Sequence, residues 1–76
     1  MKRWDDLELV EKGAVMSCLT AMMVSYRGDV PNFMWAEAFR ELKVWPTKQL
    51  HKYLTHMDLR AVEKWLRDIE GVEEPR

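Results

Sequence analysis

Apolar residues recur at helical spacing along this chain, and the first stretch differs in kind from those that follow. From Gly13 to Tyr26 (GAVMSCLTAMMVSY), Ala14, Val15, Met16, Cys18, Leu19, Ala21, Met22, Met23 and Val24 surround the whole helical wheel, interrupted only by Ser17, Thr20 and Ser25. A helix apolar on every side is either a core helix or a membrane span, and this run is well short of the ~20 residues a bilayer crossing needs. The pattern therefore predicts a central core helix. Asp5 and Asp6 offer carboxylates to its first free N–H groups, and Gly28 supplies the usual stop, so the helix is expected over 6–27.

Asn32 is placed to cap a second helix over 33–43, in which Trp35, Ala38, Phe39 and Leu42 form one apolar stripe. Phe33 and Met34 lie off that stripe. Trp45-Pro46 ends the helix, because a residue before proline is pushed out of the α region. From Thr47 to Glu70 there is no Gly or Pro, yet the apolar phase changes within the segment. Leu50, Tyr53, Leu54 and Met57 point one way, whereas Leu59, Val62, Leu66 and Ile69 point roughly 150° away on a continued 3.6-residue period. A break at 55–58 reconciles the two sets, with Asp58 as N-cap of the last helix. Helices are thus expected over 47–55 and 58–70, followed by an acidic tail at 72–76. The fold class is all-α: a single domain over 1–76, four helices packed around the first, with the last two forming a hairpin.

Composition limits this picture. Seventy-six residues bury only about 60–65% of the surface their unfolded chain exposes, while 47% of the chain is hydrophobic and it carries four Trp and six Met. Large apolar groups therefore exceed what a thin interior hides. Methionine adapts to irregular surfaces and Trp is enriched at interface hot spots, so the surplus points to a second protein surface. Leu9, Met16 and Met23 fall within about 40° of one another on the first helix, and with Met34 and Trp45 they are the expected protein interface.

Net charge is −1, which advertises no nucleic acid. Between Arg40 and Arg67, however, seven basic residues stand against three acidic ones. Within that stretch, Gln49 to Leu66 (QLHKYLTHMDLRAVEKWL) resembles the helix-turn-helix of bacterial regulators, with a short helix, a tight turn and a longer amphipathic helix. The resemblance implies a recognition helix starting at Asp58 whose Arg60, Lys64 and Arg67 face DNA, and Lys48 and Lys52 are further candidate nucleic-acid contacts. Three positions depart from the family pattern: His51 stands where a small residue is usual, Thr55 where the turn has glycine, and Leu54 to Val62 is one residue longer than the common spacing.

Other chemistry finds little support. One cysteine forms no internal disulfide, which fits a reducing compartment, and Met1-Lys2-Arg3 is followed by acids rather than a signal-peptide apolar core. The chain is expected to be cytoplasmic, unprocessed and free of the membrane. His51 and His56 are five apart and off a common helix face, so no metal site is expected. Cys18 is expected to be buried and inert, no catalytic trio or phosphate loop is present, and Arg27-Gly28-Asp29 reads as a helix-ending turn rather than an adhesion signal. The expectation is a non-enzymatic regulatory module with no cofactor and no small-molecule substrate. It would act as a homodimer or on a larger complex, with DNA binding through the last helix as the alternative.

Overall fold

A computed structural model describes residues 1–76. Its elements run β1 (Lys2–Arg3), a 3-10 turn (Trp4–Asp6), α1 (Leu9–Ser25), α2 (Asn32–Leu42), β2 (Val44–Trp45), α3 (Lys48–His51) and α4 (Leu59–Asp68). The chain is mostly helical, as its periodicity implies, with one addition. Strands β1 and β2 form a minimal parallel pair, Lys2 opposite Val44 and Arg3 opposite Trp45.

The core is organised by α2 and α4, which pack on each other more extensively than any other two elements. Trp35, Ala36 and Phe39 from α2 meet Val62 and Leu66 from α4, and Trp45 is 1% exposed among them. The Trp35 and Phe39 rings stack with centroids 6.4 Å apart. At the ends of the two helices Arg40 Nε donates to Glu70 Oε2 at 2.9 Å, a partly exposed pair of the kind that contributes about 0.2–1 kcal/mol.

Helix α1 is peripheral, which corrects the expectation that it forms the centre. Only Val15 and Leu19 of its residues are buried. An all-round apolar wheel states that burial is tolerated everywhere but not which side is used, and the aromatic residues elsewhere fill the interior first. The helix also starts at Leu9 rather than residue 6. Its cap is Glu8, whose backbone N–H donates to Glu11 Oε1 at 2.9 Å in a capping box. Asp5 and Asp6 lie instead in the 3-10 turn, where residues three apart share a side. That geometry sends both Trp4 and Leu7 into the core, and Asp5 accepts a hydrogen bond from the Thr47 hydroxyl at 2.6 Å.

Lys43 adopts a left-handed conformation, φ 57°, which turns the chain from α2 into β2 and leaves its carbonyl to accept from Lys2 N–H at 3.2 Å. Helix α3 covers four residues rather than the nine expected over 47–55. Leu54 and Met57 are each 2% exposed; Leu54 N–H still donates to the Leu50 carbonyl at 3.3 Å, and beyond it the chain leaves the helical path and turns Met57 into the core. His51 Nε2 contacts the Met57 carbonyl at 2.8 Å and fastens that loop. A helix-turn-helix joins its helices by a turn of about 3–4 residues; here helical bonding ends at Leu54, residues 55–58 lead into α4, and α4 packs chiefly on α2.

Helix α4 begins at Leu59, with the Asp58 carboxylate accepting from Ala61 N–H at 3.1 Å. Losing such a cap costs about 1 kcal/mol, so Asp58→Ala is expected to lower the melting temperature by about 4–8 °C for a domain of this size, read by circular dichroism. The terminal residues fold back. Val72 N–H donates to the Leu66 carbonyl at 2.9 Å, Arg3 binds the Pro75 carbonyl, and Glu74 pairs with Arg67 at 3.1 Å and Arg3 at 3.5 Å.

Candidate interaction surface

Helix α1 lies on the body along one line of side chains and leaves the rest of its circumference uncovered. At about 100° per residue, Val15, Leu19 and Met22 face the core, while Val10, Ala14, Ser17, Cys18, Ala21 and Val24 point away and are exposed. Leu9 is 84% exposed, Val10 85% and Val24 73%. No charged residue occurs from Gly13 to Tyr26, so this outward face is uncharged along almost the whole helix.

Grooves flank the helix on both sides. One, of about 540 Å³, is lined by Trp4, Leu9, Met16 and Tyr53, with Lys12 and Lys52 at its rim. Tyr53 is 70% exposed, and Lys12 Nζ sits 5.7 Å from the centre of the Trp4 ring, which occupies part of its charge. The other, of about 530 Å³, runs between α1 and the α2–β2 corner over Leu7, Val15, Leu42 and Val44. The helix is thus a ridge between two partly apolar troughs.

The residues expected at a protein interface are dispersed. Leu9 stands free at the edge of the ridge, whereas Met16 and Met23 are half-buried and pack against the core, so charges introduced there would disturb the fold as well as any contact. Met34 is half-buried in α2. Trp45 is fully inside, its Nε1 donating to Glu63 Oε2 at 3.4 Å, and it is unavailable to a partner. The outward set of Val10, Ala14, Ser17, Ala21 and Val24 was not singled out by sequence reasoning. The one sequence signal for it is the long charge-free interval.

Arg60, Lys64 and Arg67, at i, i+4 and i+7, share one side of α4, while Lys48 and Lys52 belong to α3 and its end. Lys52 borders the groove beside α1. Lys48 and Arg60 line a separate groove that also holds Asp5 and Glu63, and Lys64 lies near Asp68. Arg67 is held by Glu74 at 3.1 Å and Glu63 at 4.0 Å and lies 5.9 Å from the Trp45 ring. Acids interleaved in this way reduce the phosphate attraction on which non-specific DNA affinity rests. Cys18 is exposed rather than buried. Nowhere do three His, Cys, Asp or Glu side chains gather as a metal site. No protein-family model, curated protein or solved structure matches this chain.

Proposed function

We propose that the chain is a non-enzymatic protein-binding module that acts as a small regulator by docking through the outward side of α1. The observation that carries this reading is the exposure of Leu9, Val10 and Val24 on a helix without a charge from Gly13 to Tyr26. A contiguous uncharged face of this kind on a small domain marks an interaction surface, unlike isolated exposed aliphatics, which are ordinary. The two troughs beside the ridge supply room for side chains of whatever docks. DNA binding has less behind it, since Arg67 is held in ion pairs and α3 is a single turn. No helix is long and apolar enough to cross a membrane. We place the module in the cytoplasm, where its one cysteine stays a thiol.

The test is the size of the native species. In extract of the producing cells the chain is expected to migrate on gel filtration as a species heavier than 9.1 kDa. Val10→Glu with Ala21→Glu, both at exposed positions, is expected to melt near the wild-type temperature and to migrate at monomer mass. Wild-type chain running as a monomer in the extract rejects the reading.

A further inference from the structure

Glycine weakens a helix interior relative to alanine, yet Gly13 stands within α1, and a Cβ added there would meet nothing within 4 Å. The fold of the chain makes no use of the missing methyl. Gly13 lines the groove of about 540 Å³ beside α1, on the wall it forms with Leu9 and Met16, while Tyr53 belongs to the wall across from it. The absent side chain deepens the groove at the middle of that wall, where the backbone of an occupant can come close. Leu9 and Tyr53, one on each wall, are both mostly exposed.

Charge states what fits there. Lys12 and Lys52 are the charged residues of the lining, and no acid accompanies them. Neither is in an ion pair, and the contact of Lys12 Nζ with the Trp4 ring positions that ammonium without supplying a counter-charge. The other charges of the amino-terminal segment are turned elsewhere. Met1, Lys2 and Glu11 border the groove on the far flank of α1, and Arg3, Asp5 and Lys48 line a third. Asp6 and Glu8 line none of the three, and the Glu8 carboxylate is taken up by the capping box.

We infer that this groove binds an acidic segment of a protein partner, which seats a large apolar side chain on Leu9, Gly13 and Met16 while its carboxylates reach Lys12 and Lys52. This rests on the reading of α1 as the docking helix and gives the chemistry of what docks. From Leu9 to Met16 the wall rises about 10 Å, the length of two turns of a helical segment or about three residues of an extended one. A basic segment would meet two uncompensated cations. Single-stranded nucleic acid fits less well, because its bases need free aromatic faces and the Trp4 indole is buried with Lys12 over it.

Random dodecapeptides displayed on phage, selected on the immobilised full chain, are expected to converge on sequences in which Asp or Glu flank Leu, Phe, Trp or Met. The strongest of them, synthesised with a fluorophore, serves as the probe for anisotropy. Gly13→Leu fills the groove with a good helix former, so this variant is expected to melt at or above the wild-type temperature and to bind the peptide about tenfold more weakly or worse. Lys12→Gln with Lys52→Glu is expected to weaken binding about tenfold as well, and Lys52→Glu alone, at an exposed site, carries the same test should loss of Lys12 lower the melting temperature. Arg60→Gln with Lys64→Glu, the same change of charge on α4, is expected to leave binding unchanged. Selection that returns no peptide, or peptides without net negative charge, overturns the inference, and so does binding that survives Gly13→Leu or Lys52→Glu. Gel filtration of the extract judges the docking reading separately. A heavier species there beside any of those failures leaves docking through α1 with a partner of other chemistry, and monomer there removes both.

Discussion

Trp45→Ala is expected to leave the chain unfolded, or nearly so, at 25 °C. The indole is 1% exposed and is reached from one side by α2 and α4 core residues and from the other by the Arg67 guanidinium, 5.9 Å from its ring. Its backbone also pairs in register with Arg3, which sets the amino terminus beside the core. Truncating a buried Trp to Ala costs about 3–5 kcal/mol, and domains hold about 0.05–0.15 kcal/mol of stability per residue, which at this length leaves little margin. The variant is expected to lose most of its far-ultraviolet helical signal and its cooperative melt. Trp45→Phe, which keeps most of the volume, is expected to retain both. A Trp45→Ala chain melting within a few degrees of wild type would mean that the core is not built around this residue.

That residue also shows where sequence reasoning reached its limit. Trp45 sits between a helix end and a proline, with no period to assign it a face, and a short parallel pairing with Arg3 leaves no local trace in the sequence. Read locally it is surplus; in the fold it is central. The change of apolar phase between Met57 and Leu59 was legible because it depends only on spacing, and Asp58 stands where the last helix needs its cap. The length of α3 was not, because Leu54 and Met57 satisfy a helical stripe and a buried loop equally well. Helix α1 presents the opposite problem. Its existence follows from composition, but a wheel without a polar side leaves its orientation to the rest of the chain, and the outward set of Val10, Ala14, Ser17, Ala21 and Val24 became visible only once Val15 and Leu19 were fixed inside.

A pair of substitutions on α1 is expected to separate its two sides by several kcal/mol. Leu19 is fully buried, and Leu19→Ala is expected to cost about 2–5 kcal/mol, enough to unfold much of the population at 37 °C. Val24→Ala, five residues on and 73% exposed, is expected to change stability by no more than about 0.5 kcal/mol, with the better helix propensity of alanine acting in its favour. Chemical denaturation measures both. Equal losses from the two would place α1 in the interior after all.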